Sequence, residues 1–228
     1  MSSSRKPALA NTPLSPEAFR EATTVSRETL ARLQTYAGLL IKWTKTINLV
    51  GRGSLDDVWR RHFLDSAQLW PLLPPAPANR SRVVVDLGSG AGFPGLVLAI
   101  MGAGTVHLIE SDSRKAAFLR EAARATGTAI VLHEARIEAV PPFPADVVTA
   151  RACAPLPRLL DLVAPFLRLA GTAGPGGIGL FLKGRSLQRE LTDSTGTWKM
   201  GFDLHPSRTD PAAQILRLTR LSKGDCRS

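Results

Sequence analysis

The sequence predicts an α/β fold in which a mostly parallel β-sheet carries helices on both faces. From residue 83 onward, short apolar runs alternate with amphipathic segments, and this alternation is typical of parallel strands joined by crossover helices. A glycine-rich segment directly follows the first apolar run, as expected where a strand turns sharply into a helix. Apolar residues at helical spacing precede the runs, so we also expect an N-terminal helical extension.

The N-terminal part is predicted to contain a tail, a helical extension and a linker. Residues 1–24 are predicted to be a flexible tail, because the opening segment is polar, rich in small residues and contains proline. The spacing of apolar residues predicts helices over residues 25–47 and 55–69. Four prolines between positions 71 and 77 exclude a further helix and indicate a linker that ends near residue 82.

Residues 83–228 are predicted to form the core of the fold. Strands are expected at VVVDL (83–87), VHLIE (106–110), AIVLH (129–133), DVVTA (146–150) and IGLFLKG (178–184). Helices are expected near residues 94–101, 114–126 and 156–169, and a glycine-rich turn near 171–179. The last part of the chain, which includes QILRLTRL, is expected to close the sheet as an antiparallel hairpin.

Charge is unevenly distributed along the chain, whose net charge is +10. Lys and Arg exceed Asp and Glu by 6 in residues 1–82 and by 4 in residues 183–228, whereas residues 83–182 are neutral. Basic flanks around a neutral middle suit a core that binds a small molecule and surroundings that attract nucleic acid. A generally basic composition would give the same numbers, so charge alone does not decide between the two.

Several classes of protein are not expected from this sequence. It lacks the roughly 18 to 20 uninterrupted apolar residues of a membrane span, and its N-terminus does not resemble a signal peptide, so we expect a cytoplasmic protein. Its two cysteines, Cys153 and Cys226, show no CxxC spacing, so neither a disulfide framework nor a metal site is expected.

The segment VVVDLGSGAGFPG (83–95) carries the strongest chemical signal. Gly88, Gly90 and Gly92 can adopt backbone angles closed to other residues and can let a ligand approach the main chain. Such a loop is not specific by itself, because many glycine loops bind dinucleotides or are only structural. An NAD-dependent oxidoreductase of the Rossmann type therefore remains an alternative at this point.

Two acidic residues favour S-adenosylmethionine over a dinucleotide. Asp86 immediately precedes the loop, where a carboxylate would attract the ammonium group of this ligand and repel a pyrophosphate. Glu110 ends the next strand, where it can accept hydrogen bonds from both ribose hydroxyls. Because the position of Glu110 also suits NAD, Asp86 carries most of the discrimination.

Polar side chains are also expected at the carboxyl ends of later strands. Arg151 can meet an RNA phosphate, a base edge or the cofactor carboxylate, with a structural salt bridge as the alternative. Lys183 can contact a phosphate or only cap its strand. Cys153 lies in RACAPLP without the Pro-Cys pair of a covalent cytosine-C5 methyltransferase, so we interpret it as a packing residue. A noncatalytic RNA-binding module would fit the basic flanks but would leave the glycine loop unexplained.

Further motifs stand in order along the chain: NLVGR, RRHFLDS (60–66), DLGSGAGFPG (86–95), LIESDSRKAAFLR (108–120), ARIEAV (135–140), RACAPL (151–156) and FLKG (181–184). Together they resemble the bacterial 16S ribosomal RNA (guanine-N7)-methyltransferase family, also called the glucose-inhibited division protein B family, over about residues 36–192. The resemblance implies the Rossmann-like class I methyltransferase fold with a seven-stranded sheet and S-adenosylmethionine as cofactor. It also implies methylation at N7 of one guanosine, at position 527 in the decoding-region loop of 16S rRNA.

The resemblance also implies roles for individual residues. Gly88 and Phe93 correspond to cofactor positions, Ile137 with Glu138 to the segment that flanks the adenine, and Arg151 to a further ligand position. We expect the basic part of RRHFLDS to contact RNA or to support the substrate pocket; its residues are Arg60, Arg61 and His62. The implied partner is 16S rRNA or a precursor of the small ribosomal subunit, and no obligate protein partner is evident. A methyltransferase with another RNA target remains a second alternative.

Overall fold

The computed structural model describes residues 12–167 and 176–224, which contain a seven-stranded sheet. Its strands are β1 (Val83–Leu87), β2 (Thr105–Glu110), β3 (Val131–Glu134), β4 (Val147–Arg151), β5 (Ile178–Lys183), β6 (Trp198–Pro206) and β7 (Gln214–Lys223). Their order is β3-β2-β1-β4-β5-β7-β6. The first five strands run parallel, and β7 pairs antiparallel with both β5 and β6. The mostly parallel sheet with a closing hairpin is therefore confirmed.

Within the described residues, seven α-helices accompany the sheet: α1 (Pro16–Thr23), α2 (Arg27–Thr44), α3 (Asp65–Ala67), α4 (Gly95–Ile100), α5 (Ser113–Ala125), α6 (Leu156–Val163) and α7 (Leu187–Ser194). Alternate side chains of each inner strand point to opposite faces. Val84 on one face belongs to the apolar cluster that includes α2, α4 and α5, whereas Val85 belongs to the cluster that includes α6 and α7. Helices therefore cover both faces, as predicted.

The predicted flexible tail is wrong over residues 16–23, because these residues form helix α1. The hydroxyl oxygen of Ser15 caps this helix by accepting a hydrogen bond from the backbone N–H of Ala18, and Pro16 suits the first helical position. Phe19 is fully buried and packs 5.2 Å from the ring of Trp59. Phe19 is therefore the buried anchor of this short helix, and Ala22 packs partly buried against the same apolar cluster. Residues 1–11 lie outside the described residues.

The second predicted N-terminal helix is a composite of three helical types. A 3-10 helix over Arg52–Asp57 is followed by a π-helical segment over Trp59–Leu64 and then by α3. The wider π-helical turn changes which side chains face the core and is often found at functional sites. Here it places both His62 and Phe63 in buried positions, although they are adjacent in sequence.

Most other boundaries agree with the predictions to within a few residues. The helix predicted over residues 156–169 ends at Val163, and α7 was not predicted. After the 3-10 turn Trp70–Leu72, the proline-rich linker has no helix before β1. The glycine-rich turn near 171–179 falls largely outside the described residues, as does Cys226. None of the described helices combines the length and apolar character that crossing a membrane requires.

Candidate functional site

The glycine loop after β1 has the backbone conformation that its residues predict. Gly88, Gly90 and Gly92 have φ values of 64°, 58° and 95°, in the left-handed region that strains residues with a Cβ. A Cβ added to Gly88 would lie 2.9 Å from Sγ of Cys153. The segment after β4 therefore approaches the main chain of the loop closely, and only glycine fits at that point.

Glu110 at the end of β2 holds the loop from one side. Its side chain is only 7% exposed, and its Oε2 accepts a hydrogen bond of 2.7 Å from the backbone N–H of Gly90. Its Oε1 accepts a second bond of 2.7 Å from the backbone N–H of Asp112, which caps α5. A carboxylate has about four acceptor sites, so two remain for further donors such as ribose hydroxyls.

Asp86 lies beneath the loop rather than beside it. The side chain is fully buried, and Oδ1 accepts a bond of 2.6 Å from the hydroxyl of Thr149. Oδ2 has no hydrogen-bond partner among the described residues. Burial raises the pKa of Asp86 to about 6, against opposing hydrogen bonds from Thr149 and other neighbours. The direct contact with an ammonium group that we expected is not supported, because the carboxylate is covered; it can act on a ligand only through its charge.

Carboxylates dominate the electrostatics around the loop. Burial, together with the charges of Asp86, Glu110 and Glu138, raises the pKa of the Cys153 thiol. Glu138 is half exposed, forms an ion pair with Arg158 and lies in the 3-10 turn that follows β3. The negative charge around the loop favours a cationic ligand and opposes a pyrophosphate. The raised pKa also makes Cys153 a poor nucleophile, in agreement with a packing role.

The residues that resemblance assigned to the adenine lie close to the same edge of the sheet. Ile137 and Glu138 belong to the turn Ile137–Ala139, which begins three residues after β3 ends at Glu134. The backbone N–H of Ala135 donates to the backbone oxygen of Glu110 and ties this turn to the end of β2. Ile137 packs against the apolar cluster that includes α6 and α7.

An open cleft of about 820 Å³ lies at the carboxyl ends of β4 and β5. The segments after these strands form one side of the cleft, and the helical extension and the β6–β7 turn supply the rest. Cys153 lines this cleft and also touches Gly88, so its thiol marks the border between cleft and loop. Ala152 has a φ of 51°, a left-handed conformation that costs a non-glycine residue roughly 1–2 kcal/mol. The chain therefore turns sharply directly after Arg151.

Arg151 joins the cleft to the RRHFLDS segment. Its Nη1 donates to the backbone oxygen of Arg61 at 3.1 Å and to Oδ2 of Asp65 at 3.2 Å. Its Nη2 lies 2.9 Å from Nδ1 of His62. The guanidinium carbon stands 4.9 Å above the ring centroid of Phe93. Arg151 makes a salt bridge, which was the alternative role considered for it, but its side chain remains 19% exposed and lines the cleft.

Phe93 is a buried centre of aromatic contacts rather than an exposed ligand contact. Its ring is 3% exposed and stacks on Tyr36 at 5.3 Å and on His62 at 5.0 Å. The hydroxyl of Tyr36 donates to the backbone oxygen of Ala91 in the glycine loop. Phe93 therefore supports the loop from below, and any cofactor contact it makes is through its backbone position.

The three basic residues of RRHFLDS have different surroundings. Arg60 bonds Oδ2 of Asp57 at 2.7 Å and the backbone oxygen of Thr12 at 2.7 Å, whereas Arg61 is exposed and bonds the backbone oxygen of Gly53 at 3.3 Å. His62 is buried, and both of its ring nitrogens are engaged. Its position argues against the direct RNA contact that we predicted as one possibility, because the residue is only 8% exposed and both ring nitrogens already have partners.

Lys183 is held in an ion pair. Its Nζ lies 2.5 Å from Oε2 of Glu190 and 3.2 Å from the backbone oxygen of Ala154, and its side chain is 9% exposed. The same Oε2 accepts from the backbone N–H of Leu156, which fixes the start of α6. Although Lys183 lines the cleft, the pair argues for a structural role over the predicted phosphate contact.

Several residues of the site were not identified from the sequence. Tyr36 bonds the glycine loop and Thr149 bonds Asp86 below it, Glu190 bonds Lys183 in the cleft, and Ser54 bonds His62. Tyr36 offered one usable signal, because a tyrosine on the apolar face of a helix needs a partner for its hydroxyl. Within the ranges 12–167 and 176–224, there is no group of three or more side chains suited to hold a metal ion.

Comparison with protein families gives a match to the model described as rRNA small subunit methyltransferase G, over residues 29–205. The chain is similar to proteins named ribosomal RNA small subunit methyltransferase G. The relative from Rhodospirillum rubrum is 56% identical over 210 residues, which is 92% of this chain and 100% of the relative. The relative from Rhodospirillum centenum is 57% identical over 204 residues, which is 90% of each chain.

Solved structures with low sequence identity share the fold. A variant of MtNAS in complex with S-adenosylmethionine has a TM-score of 0.54 at 13% identity, over 90% of this chain and 84% of that chain. A SAM-dependent methyltransferase from Aquifex aeolicus has a TM-score of 0.52 at 15% identity, over 74% of this chain and 96% of that chain. The architecture is thus that of class I methyltransferases, as predicted.

Proposed function

Because the chain belongs to the rRNA small subunit methyltransferase G family, we propose that it transfers a methyl group from S-adenosylmethionine to N7 of a guanosine in 16S rRNA. The supporting observation is the junction at Cys153, where the glycine loop meets the open cleft. A cofactor in the loop and a base in the cleft would face each other across this residue. Methyl transfer requires such alignment.

The residues around the loop fit S-adenosylmethionine. Gly88 leaves room for a ligand at the main chain, Glu110 has two acceptor sites left for ribose hydroxyls, and Asp86 supplies buried negative charge below. When bound, the cofactor supplies a methyl group already activated by its sulfonium charge. The same carboxylates oppose a pyrophosphate, which disfavours the alternative of an NAD-dependent oxidoreductase.

Three of the four carboxylates that line the cleft are held in ion pairs, and the fourth, Asp210, lies exposed in the β6–β7 turn. This arrangement supports N7 as the acceptor atom. Asp57 pairs with Arg60, Asp65 with Arg151 and Glu190 with Lys183, while His62 is neutral and buried. Guanine N7 carries an available lone pair in the plane of its ring, so its attack on the methyl group needs no prior proton removal. The protein then contributes mainly position and electrostatic surroundings.

Arg151 and Arg61 are the cationic groups that best suit the RNA. Arg61 is exposed at the cleft, and Arg151 keeps part of its side chain accessible there. Arg60 contributes charge to the same lining although it is already bonded. We propose 16S rRNA or a precursor of the small subunit as partner, the guanosine in the decoding-region loop as target, and the cytoplasm as the place of action.

The proposal is tested by mapping transferred label. Purified protein is incubated with methyl-labelled S-adenosylmethionine and small-subunit RNA from a strain that lacks the gene, once as naked RNA and once as subunit particles. We expect label in a single 7-methylguanosine. Label at another base would exclude the guanosine assignment, and binding of NADH with no binding of the methyl donor would exclude methyl transfer.

A further inference from the structure

Three residues form a one-way chain of hydrogen bonds that ends at the cleft. His62 Nδ1 lies 2.9 Å from Nη2 of Arg151, and His62 Nε2 lies 2.7 Å from Oγ of Ser54. Arginine has only donors, so Nδ1 must be the acceptor. The hydroxyl of Ser54 donates to the backbone oxygen of Gly51 at 2.5 Å, which leaves Oγ free to accept from Nε2–H.

The direction of every bond in this chain is therefore determined. Arg151 donates to His62, His62 donates to Ser54, and Ser54 donates to Gly51. Only the neutral imidazole with its proton on Nε2 satisfies all three bonds. The alternative tautomer would point an N–H at Arg151, and the cationic form would do the same while adding a second positive charge.

Packing holds the ring and the guanidinium in the same orientation. The imidazole stacks on Phe93 with an interplanar angle of 26°, and the guanidinium of Arg151 stands over the same phenyl ring. Burial first, and then the charges of Arg151 and Arg61, lower the pKa of His62 to about 3. The imidazole thus stays neutral throughout the physiological range and acts as a fixed acceptor, not as a proton-transferring base.

Arg151 keeps donors available for a substrate. A guanidinium has five N–H groups, and three bonds to Arg61, Asp65 and His62 use three of them. The remaining two have no acceptor among the described residues, and the side chain lines the cleft. Because N7 must keep its lone pair for attack, these donors suit oxygen acceptors of the RNA.

We infer that Ser54 and His62 are positioning residues that fix the guanidinium of Arg151 so that its free N–H donors face the RNA substrate. This inference rests on the proposed function for its effect on catalysis, but its geometric part is independent of it. The bond with Arg151 is made by one ring nitrogen, and the bond with Ser54 by the other. Variants can therefore separate the two bonds.

Two substitutions of similar size form a matched pair. In His62→Asn, the amide oxygen replaces Nδ1 at the same number of bonds from Cβ and keeps the acceptor for Arg151. In His62→Gln, the amide nitrogen matches Nε2 and keeps the donor to Ser54, whereas no acceptor stands where Nδ1 was. We expect His62→Asn to keep kcat/KM for RNA within about threefold and His62→Gln to lose about tenfold, as for one lost charge-assisted bond.

The affinity for S-adenosylmethionine and the thermal unfolding of the two variants separate a positioning role from a structural one. The cofactor affinity and the unfolding temperature should be nearly equal in the Asn and Gln variants, since both variants leave the glycine loop and the residues around position 62 unchanged. Ser54→Ala should lower kcat about threefold, because the ring can then adopt the other tautomer. Equal activity of the Asn and Gln variants, or a loss of activity that follows only their stability, would overturn the positioning role.

Nitrogen-15 NMR of the four histidines in the wild-type chain tests the geometry without any activity measurement. We expect His62 to show a bare Nδ1 and a protonated Nε2, with shifts that stay constant from about pH 5 to pH 8, where an ordinary histidine titrates. A titration in this range, or the opposite tautomer, would overturn the inference. If the NMR result holds and no RNA is methylated, the proposed function fails and the geometric assignment stands.

Discussion

The glycine loop and the neighbouring cleft are held in shape by different physical means. Backbone conformation shapes the loop: three glycines have left-handed φ values, and Glu110 accepts backbone N–H groups on both carboxylate oxygens. Side chains shape the cleft, through the ion pairs of Arg151 with Asp65 and of Lys183 with Glu190. The loop is anionic and the cleft contains accessible cations, so one surface suits a cationic cofactor and the other a polyanion.

This difference predicts that damage to one region leaves the other intact. A glycine that acquires a side chain should affect the cofactor, and a lost charge in the cleft should affect the RNA or the fold. Because Cys153 touches both regions, it is the place where the separation is weakest. Single substitutions in each region test this separation.

The largest effect is expected on stability, from Lys183→Met in the cleft. The substitution leaves Glu190 as a charge with little solvent around it, and breaking such a pair should lower the free energy of unfolding by about 3 kcal/mol. Chemical denaturation measures the change. The double variant with Glu190→Gln should recover much of this loss. If the single variant is stable and binds RNA more weakly, the result would instead support the phosphate contact predicted for Lys183.

Arg151→Ala should have the largest effect on catalysis. We expect kcat/KM for RNA to fall about 100-fold, because both free donors and the charge over the cleft are lost. Arg151→Lys keeps the charge but cannot reproduce the planar set of donors, so it should recover only a small part. Steady-state methyl transfer with both variants checks this. Full activity of the alanine variant would make Arg151 a purely structural residue.

Gly88→Ala should weaken cofactor binding about tenfold, since the left-handed conformation and the contact with Cys153 both disfavour a Cβ. Titration with S-adenosylmethionine measures the loss. Adding Cys153→Ala removes the sulfur that the new methyl group meets, so part of the affinity should return. If the second substitution brings no recovery, close approach to Cys153 is not what requires glycine here.

A smaller, pH-dependent effect is expected from Asp86. Its pKa is raised to about 6 in the folded protein, so it is neutral below this pH and negative above it. Affinity for the cationic cofactor should therefore rise a few fold as pH increases through about 6, and Asp86→Asn should abolish the rise.

The stability of the folded protein should show the opposite trend for the same group. A raised carboxyl pKa stabilises the fold fully below the unfolded value of about 4, and this contribution is lost as pH rises through about 6. Unfolding of wild type and Asp86→Asn at several pH values measures it. Parallel stability profiles would show that Asp86 is not the group responsible for either trend.

The two regions also differ in how far the sequence predicts them. The loop is determined by local sequence, because the turn, its positive φ values and the strand that precedes it follow from thirteen consecutive residues, 83–95. The parallel sheet follows similarly from short apolar runs. The bond from Arg151 to Asp65 joins residues 86 positions apart, so no spacing or periodicity could indicate it.

Tertiary contacts also explain what the sequence did not predict correctly. Helix α1 is held in place by Phe19, which packs against Trp59, a residue 40 positions further along the chain. His62 was expected among RNA contacts because its neighbours are basic, but the π-helical turn rotates it into the core. Asp86 was expected to contact the ammonium group of the cofactor, but it is completely buried, and the missing side chain of Gly95 makes room for it.

The division between a cofactor loop and an RNA cleft is tested most directly by measuring both binding constants on the same two variants. Gly88→Ala and Arg151→Ala are each titrated with S-adenosylmethionine and with small-subunit RNA in low salt. We expect Gly88→Ala to weaken binding of the cofactor alone and Arg151→Ala to weaken binding of the RNA alone. Equal weakening of both ligands in both variants would contradict this division, because the two surfaces would then form a single site.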